Sequence, residues 1–522
     1  MEIRENDRAQ LIAAIDVGTN SFHLIIASVD SRGMLNIVLR EKEVVRLGAS
    51  AGDIKYLTED AIERGVRTLK RFADIAKSKG AEIRAVATSA VREALNANDF
   101  IDLVKKETGI EIEVVSGVEE GRLIYLGALH SLPIVNQKAL IIDIGGGSTE
   151  TVIGKDGETI YVHSEKLGAI RLSVKFELQD EVDENKIKEC RRFIRGVWAP
   201  IFNKINQIGY DTLVGTAGTI LNIAVMTLMS NGKPVPDILN GYTLERKDIL
   251  KTIRRIIEAK NLKERKQIQG MDPQRADIIV GGALILEYAL ENAVIDRMHI
   301  STFGLREGIV YDTLEKRKEI ETLKHLGRLR ESSIYSIAQK YGVNLQHSYH
   351  IKNIALKLFD ATQHLHNLGI KEREWLEAAA ILHDVGYLIS VEQHHKHSYY
   401  IISHCIMPGF TKEESEIIAN IARYHRKSHP KKRHENFQKL SEEKQETVKI
   451  LAGILRIAEG IDRRQIQAVK DIVVIPNTNS ITIKLIPANN SDVPDVELWG
   501  AERRKLLFEE SMGIKVNIAL EL

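Results

Sequence analysis

The sequence predicts an α/β protein: two α/β domains of one plan, followed by an all-helical domain and a small α+β tail domain. A strand–loop–strand unit occurs twice, once from Leu11 and once from Leu140. From Ser333 to Asp462 the pattern is almost wholly helical, and short strands return after Asp471. With 522 residues the chain is too long for one ordinary core, and its 43% hydrophobic residues can support several.

The first predicted domain begins with two strands separated by a short polar loop. Apolar residues run from Leu11 to Ile15 and again from Phe22 to Val29. A helix capped by Thr58 then carries apolar residues at helical spacing and ends at Gly80. We expect this domain to span residues 1–130.

The second predicted domain repeats the strand–loop–strand plan. Its first strands run from Leu140 to Ile142 and from Thr151 to Gly154. We expect this domain to span residues 131–312. The helical domain is predicted at residues 313–465 and the tail domain at residues 466–522.

Composition excludes several classes of protein. Lysine and arginine number 73 and aspartate and glutamate 72, so the net charge of +1 offers no argument for binding nucleic acid. The two cysteines, Cys190 and Cys405, exclude a disulfide framework. The sequence shows neither a signal peptide nor an apolar stretch of about 20 residues. We therefore expect a soluble cytoplasmic protein that does not bind membranes.

The loop after the first strand of each α/β domain is rich in glycine, hydroxyl and carboxylate groups. Strands follow both loops, which excludes a Walker loop and a dinucleotide fingerprint. Small residues let backbone N–H groups approach phosphate oxygens, and each aspartate can hold a divalent cation. One such loop alone is a common turn, but two in duplicated contexts indicate half-sites that face one anion. The predicted phosphate-binding residues of the loops are Asp16, Gly18, Thr19, Asn20, Ser21, Gly145, Gly146, Gly147, Ser148 and Thr149.

A strand-to-helix junction between the two loops carries a candidate base. Ser116 and Glu119 have the spacing of a capping box, which places Glu120 in the first helical turn. The helix dipole favours an ionised carboxylate there, so Glu120 could accept a proton from an attacking water. The alternative is that both glutamates only cap the helix.

Two further strand-to-helix junctions could contact phosphate. At the first, Arg92 either binds phosphate or pairs with a nearby carboxylate at the surface. At the second, Gly215 and Gly218 either cradle an anion or let a strand and a helix pack closely.

Taken together, these segments resemble the exopolyphosphatase/guanosine pentaphosphate phosphohydrolase (Ppx/GppA) family. This family is a branch of the superfamily that contains actin, sugar kinases and chaperone ATPase domains. The segments that carry the resemblance most specifically are Ala14–Ser21, Ala87–Arg92, Ser116–Arg122 and Ile142–Glu150. The resemblance covers nearly the whole chain, and it implies two actin-like (ribonuclease H-like) α/β domains and a homodimer.

The resemblance also implies roles for individual residues. Glu120 would be the base that activates water, and Arg92 a ligand of the substrate phosphates. Asp143, with the glycines after it, would be the metal and phosphate site. We expect Asp143 and Glu150 to hold Mg²⁺ or Mn²⁺.

In the helical domain, the His383-Asp384 pair resembles the motif of HD phosphohydrolases. That resemblance implies a further histidine from an upstream helix and a carboxylate from a late helix. His350 and Glu459 stand at those places, although the glutamate replaces the usual aspartate. We therefore expect a second divalent metal held by His350, His383, Asp384 and Glu459 in an HD-like domain. The alternative is a scaffold whose histidines and arginines line a path for a polyanion.

The resemblance implies an exopolyphosphatase that removes terminal orthophosphate processively from inorganic polyphosphate with Mg²⁺. The alternative within the family is a guanosine pentaphosphate 5′-phosphohydrolase of the stringent response, and the motifs do not separate the two. Rivals from other classes are a non-catalytic phosphate or alarmone sensor and an HD-domain phosphodiesterase with a regulatory N-terminal half.

Overall fold

The structure is a computed structural model. It describes residues 10–30, 33–48, 55–236, 238–317, 329–405, 407, 410, 412–477, 479–489 and 493–521. The chain divides into two compact units, residues 1–329 and residues 330–522.

A five-stranded mixed sheet begins the first unit. Its strands, in the order β3-β2-β1-β4-β5, are β1 (Ile12–Val17), β2 (Phe22–Val29), β3 (Leu35–Glu43), β4 (Glu82–Ala87) and β5 (Ile112–Val114). Strands β1, β2 and β3 are antiparallel neighbours, whereas β4 lies parallel to β1 and β5 parallel to β4. The helices of this half are α1 (Glu59–Ser78), α2 (Ser89–Glu93), α3 (Ala97–Thr108) and α4 (Gly117–Leu129).

A six-stranded mixed sheet follows in the same unit. Its strands, in the order β10-β11-β9-β6-β7-β8, are β6 (Ala139–Ile144), β7 (Thr149–Lys155), β8 (Glu158–Glu165), β9 (Thr212–Thr216), β10 (Thr243–Glu245) and β11 (Arg297–Ile300). The helices are α5 (Ala169–Lys175), α6 (Glu184–Ile208), α7 (Ala217–Ser230), α8 (Arg246–Glu258), α9 (Leu262–Lys266), α10 (Ile279–Asn292) and α11 (Leu305–Lys316).

The two sheets share one plan, and the predicted α/β class is confirmed. In the second sheet, β6, β7 and β8 are again antiparallel neighbours, and β9 lies parallel to β6. Each glycine loop therefore joins the first two strands of an antiparallel triplet. The domain boundaries expected from the sequence stay predictions.

Helices α4 and α11 join the two halves of the first unit. They approach so closely that a Cβ atom at Gly127 would fall on the carbonyl group of Gly304, and one at Gly308 on that of Leu123. Apolar residues of both helices share a core with residues of both sheets, such as Ile12 and Ile141. Glycine at these contacts removes the side chain that would separate the helices, and the cleft between the sheets is held by a common core.

The second unit combines helices with a small sheet. The helices are α12 (Leu329–Lys340), α13 (Leu345–Ala361), α14 (Gln363–His366), α15 (Ile370–Leu382), α16 (His394–His404), α17 (Lys412–Arg423), α18 (Glu435–Gln438), α19 (Glu442–Ile461), α20 (Asp495–Glu502) and α21 (Leu506–Met512), with a 3₁₀ turn at Val385–Leu388. The sheet contains β12 (Val469–Pro476), β13 (Ser480–Pro487) and β14 (Lys515–Leu520). Residues of the sheet and of the helices, among them Ile472 and Trp375, belong to one hydrophobic core. Within the described residues, no helix has the length and apolar character needed to cross a membrane.

Candidate active site

Both glycine loops line one cavity of the first unit, which has a volume of about 430 Å³. The first loop joins β1 to β2 and the second joins β6 to β7. Helix α4, the amino end of α7 and the amino end of α11 also reach the cavity. The sequence-predicted residues that line it are Asp16, Gly18, Thr19, Asn20, Ser21, Glu120, Asp143, Gly145, Gly146, Gly147, Ser148 and Gly218.

Other predicted residues lie behind this lining. The buried Thr149 hydroxyl donates to the carbonyl oxygen of Leu167 at 2.5 Å. A Cβ atom at Gly215 would come within 2.8 Å of the sulfur of Met298, so this glycine permits close packing. Arg92 and Glu150 contact other polar groups around the cavity, as described below.

The two loops touch each other directly. A Cβ atom at Gly146 would lie 3.2 Å from the Cβ atom of Thr19 and 3.3 Å from the backbone nitrogen of Asn20. At Gly147 it would lie 2.5 Å from the hydroxyl oxygen of Ser89 and 2.8 Å from that of Thr19. The glycines of the second loop therefore allow it to close against the first.

Replacing Gly147 with alanine is expected to destabilise the protein by about 1–3 kcal/mol, because the added methyl group has no space between the two hydroxyl groups. Denaturant unfolding measures this effect. The matched control is Gly196→Ala in α6, where a Cβ atom meets nothing within 4 Å. That substitution should stabilise the helix by about 0.5–1 kcal/mol. Equal effects of the two substitutions would contradict the close loop contact.

Carboxyl groups gather around the cavity. Burial raises the pKa of Asp16 to about 7, although Arg306 opposes the shift. Burial and the charge of Glu120 together raise the pKa of Asp143 to about 8. Burial likewise raises the pKa of Glu150 well above its ordinary value, with Glu120 as the next cause. These carboxylates repel one another at neutral pH, so the site favours a cation.

Glu120 is held by an ion pair inside the protein. Burial raises the pKa of its carboxyl group, and the charge of Arg92 opposes that shift. The Arg92 guanidinium donates to Oε2 of Glu120 at 2.9 Å and to the carbonyl oxygen of Val115 at 3.1 Å. Ser116 caps α4 by accepting the N–H of Glu119 at 3.1 Å, while the Glu119 side chain pairs with Arg122. The cap therefore uses Ser116 and leaves the Glu120 carboxylate at the cavity.

A buried arginine that sequence reasoning missed ties the second loop to the first half of the unit. Arg171 donates to the carbonyl oxygen of Gly147 at 2.8 Å and to Oε1 of Glu93 at 2.9 Å. Glu93 also accepts from Ser89 at 2.9 Å and pairs with Lys166. Arg171 and Glu93 are 78 residues apart, so local sequence carries no signal for the contact.

Three basic side chains line the same cavity, namely Lys42, Arg275 and Arg306. The Arg275 guanidinium lies where a Cβ atom of residue 218 would be, which explains the glycine there. Arg306 approaches the imidazole of His23 at 3.4 Å. No role was predicted for these three residues from the sequence. The local hint was Gly218, whose lack of a side chain leaves room for Arg275. Their positive charges make the cavity suitable for a polyanion.

The amino end of α7 forms part of the cavity wall. Thr216, Ala217, Gly218 and Thr219 all line the cavity. Ala217 has a φ of 67°, in the left-handed region that costs a residue with a Cβ atom about 1–3 kcal/mol. Such strain is typical of functional sites, and a helix amino terminus favours anions.

The carboxylate set fits a divalent cation. Oε1 of the buried Glu150 accepts from Ser164 at 2.8 Å, whereas its Oε2 has no hydrogen-bond partner among the described residues. Carboxylate oxygens are the ligands that Mg²⁺ and Mn²⁺ prefer. Among the described residues, every group of three His, Cys, Asp or Glu ligand atoms that lie within 4.8 Å of one another is in the second unit. A cation at Asp143 would therefore also need oxygens from phosphate or water, as Mg²⁺ commonly does.

In the second unit, the structure brings together two of the four predicted ligands of the HD-like site. His383 and Asp384 belong to one cluster, but His350 and Glu459 do not. His347, one turn earlier on α13, takes the place expected for His350, which instead bonds to the backbone of Val469.

The carboxylate of Glu459 likewise does not join the cluster, whereas that of Asp462, one helical turn later, contacts one of its histidines. Asp462 lies 2.7 Å from Nδ1 of His347. Glu459 pairs with Arg504 and lies 3.9 Å from Arg463. The predicted ligand set is thus corrected at both ends, because helical spacing alone did not decide which turn faces the cluster.

Comparison with known proteins gives consistent matches. The sequence model of the Ppx/GppA phosphatase family matches residues 25–317, and that of Ppx/GppA phosphatase domain III matches residues 329–494. A solved exopolyphosphatase from Cytophaga hutchinsonii is 30% identical with a TM-score of 0.55, over 60% of this chain and 99% of that one. A solved Ppx/GppA family member from Aquifex aeolicus is 32% identical with a TM-score of 0.51, over 59% and 98%. The match to the Ppx/GppA phosphatase family model includes Glu120 and Asp143 and begins after the Asp16 loop.

Proposed function

The chain belongs to the Ppx/GppA phosphatase family, and on this basis we propose that it is an exopolyphosphatase acting processively on inorganic polyphosphate. The observation that carries the proposal is the buried Glu120 carboxylate, which faces a cavity lined by two phosphate-type loops and by basic side chains. The similar protein from Cytophaga hutchinsonii is an exopolyphosphatase.

The terminal phosphate is placed between the two loops. Backbone N–H groups of the glycines and the hydroxyl groups of Thr19 and Ser148 are the available donors on the two sides. The amino end of α7 adds further N–H groups. Mg²⁺ or Mn²⁺ held by Asp143 and Glu150 would neutralise charge on the phosphate oxygens.

Glu120 acts as the general base. Its carboxylate accepts a proton from water as the water oxygen bonds to the terminal phosphorus, and the bond from that phosphorus to the bridging oxygen breaks. The shortened chain leaves with the electrons of that bond. Arg92 is a positioning residue here, because its hydrogen bond at 2.9 Å orients the Glu120 carboxylate. The phosphate-binding role expected for Arg92 stays a prediction.

Substrate retention is assigned to the basic side chains. Lys42, Arg275 and Arg306 lie in one cavity and can each pair with a phosphate of the shortened chain. A chain held in this way can advance by one phosphate after each cleavage without leaving the protein.

A specific observation favours a second candidate, the guanosine pentaphosphate 5′-phosphohydrolase. Apolar side chains of Leu221, Val225 and Leu239 also line the cavity. A polyphosphate chain has no apolar part to contact them, whereas a nucleobase could pack against such a surface.

Steady-state phosphate release from long-chain polyphosphate and from guanosine pentaphosphate, measured side by side, tests the proposal. We expect a larger kcat/KM for polyphosphate and release of many phosphates per binding event. The apolar control is Leu239→Ala, which should lower kcat/KM only for the nucleotide. A larger kcat/KM for guanosine pentaphosphate would assign the site to the second candidate.

A further inference from the structure

The second unit contains a buried cluster of four histidines around one aspartate. This histidine cluster consists of His347, His383, Asp384, His394 and His425. The four imidazoles are at most 3% exposed and the aspartate is 9% exposed. The residues come from four separate parts of the chain, with only His383 and Asp384 adjacent in sequence, so the tertiary fold assembles the cluster.

Hydrogen bonds to Nδ1 leave the Nε2 atoms of the imidazoles facing inward. Nδ1 of His383 lies 2.8 Å from the carbonyl oxygen of Ala380, and Nδ1 of His425 lies 2.6 Å from that of Ala422. A carbonyl oxygen only accepts, so each Nδ1 carries the proton and each Nε2 keeps a lone pair.

The remaining two histidines are held in a similar way. Nδ1 of His347 bonds to the Asp462 carboxylate at 2.7 Å, and Nδ1 of His394 lies 3.1 Å from the carbonyl oxygen of Val391. Metal-bound histidines are commonly fixed by such a bond at their second nitrogen.

Two of the four inward nitrogen atoms lack the partners that a purely structural cluster would provide. Nε2 of His347 and Nε2 of His383 are buried and have no hydrogen-bond partner among the residues described. Nε2 of His394 and Nε2 of His425 face each other at 3.3 Å. Two lone pairs at this distance repel each other unless a proton or a metal ion lies between them.

The distances within the cluster match those between ligands of a common ion. With metal–nitrogen bonds of about 2.0–2.1 Å in tetrahedral geometry, two ligand atoms lie about 3.3 Å apart. Oδ2 of Asp384 lies 3.4 Å from Nε2 of His383 and 3.9 Å from Nε2 of His347. Its other oxygen, Oδ1, lies 3.4 Å from Nε2 of His394. The aspartate thus presents one oxygen to each pair of histidines.

We propose that the histidine cluster is a binuclear site for divalent transition-metal ions, bridged by Asp384. His347 and His383 hold the first ion, and His394 and His425 hold the second. Imidazole ligands favour ions such as Mn²⁺, Co²⁺ or Zn²⁺ over Mg²⁺. The site omits two of the ligands expected from the sequence, His350 and Glu459, and adds His347, His394 and His425.

Besides Arg504, whose charge acts on His383 and His425, Arg426 is a charged side chain that opposes binding. Its guanidinium lies 3.2 Å from Nδ1 and 3.3 Å from Nε2 of His394. Since it is partly exposed at the end of a side chain with several rotatable bonds, it can move away when the second ion enters. We therefore expect the second ion to bind more weakly than the first.

Cobalt binding to the full-length protein tests the proposal. The protein is stripped with a chelator, incubated with Co²⁺ and freed of excess metal, and cobalt per chain is measured by elemental analysis and visible absorption. The Asp143→Asn background removes a contribution from the first unit. We expect two ions per chain in that background and none after a further Asp384→Asn substitution.

Single histidine variants keep the test decisive if Asp384→Asn fails to fold. His347→Ala and His425→Ala should each lose one ion, whereas His404→Ala, at an exposed histidine of α16, should lose none. Retention of no cobalt by the parent protein would overturn the proposal. So would undiminished cobalt in a folded Asp384→Asn variant, or loss of both ions in either single histidine variant.

Discussion

Replacing Glu120 with glutamine is expected to reduce kcat for phosphate release from polyphosphate by about 10²–10⁴-fold, the usual contribution of a general base. Glutamine preserves the size of the side chain and a hydrogen-bond acceptor for Arg92, but it cannot take a proton from water. KM should change little, because Glu120 does not pair with the phosphates in the proposed arrangement. Initial rates of phosphate release over a range of polyphosphate concentrations measure both constants.

The matched control is Glu119→Gln on the same helix. The Glu119 side chain is about one third exposed and pairs with Arg122, so its replacement should leave kcat within about two-fold, as for a surface ion pair. If Glu120→Gln retains full activity, or if both substitutions have the same effect, then Glu120 is not the base. Circular dichroism of the two variants separates loss of chemistry from loss of fold.

Replacing Asp143 with asparagine is expected to stabilise the cation-free protein at alkaline pH. Burial raises the pKa of Asp143 to about 8 and that of Asp16 to about 7, compared with about 3.9 in an unfolded chain. At pH values between the unfolded and the folded pKa values, Asp16 and Asp143 keep protons in the folded state that they have lost in the unfolded state. The resulting stabilisation is complete below pH 4 and disappears as the pH rises through 7–8.

At pH 8.5 the carboxyl groups in the cavity of the wild-type protein are therefore ionised and repel one another. The variant has one carboxylate fewer in the cavity. We expect Asp143→Asn to raise the free energy of unfolding there by roughly 2–5 kcal/mol, and by much less at pH 5. The melting temperature in a chelating buffer should rise by at least about 5 °C at pH 8.5. Added Mg²⁺ should stabilise the wild-type protein and have a smaller effect on the variant.

The control for this measurement is Asp102→Asn, at an exposed position of α3. It should leave the melting temperature nearly unchanged at both pH values. A variant at Asp143 that is less stable than the wild-type protein at pH 8.5 would contradict the repulsion among the cavity carboxylates. Such a result would show that the Asp143 carboxylate stabilises the fold by accepting hydrogen bonds.

The glycine loops were predictable because their signal is local. An apolar strand, a turn of small and acidic residues and a second strand follow one another within about a dozen residues, and the pattern occurs twice. The same locality explains the successful prediction of the cap of α4 by Ser116. The homodimer and the cytoplasmic location stay predictions.

Residues brought in from a distance were not predictable. Lys42 and Arg275 carry no local pattern that separates them from other surface cations, yet both reach the cavity of the loops. The sequence left open whether Arg92 binds phosphate or pairs with a carboxylate, and the structure pairs it with Glu120, a residue 28 positions away. Which of many carboxylates an arginine meets depends on how the strands and helices are arranged.

The sequence by itself determined the α/β class of the first unit and the positions of its loops. It also identified Glu120 and Asp143 as candidates, because strand periodicity, glycine turns and helix caps act over a few residues. Only the tertiary structure decided that Gly147 meets Thr19 and Ser89, and that His347 joins the histidine cluster in place of His350 while Glu459 stays outside it. Residues one helical turn apart have nearly the same local sequence signature, and packing of the helices decides which of them faces the cluster.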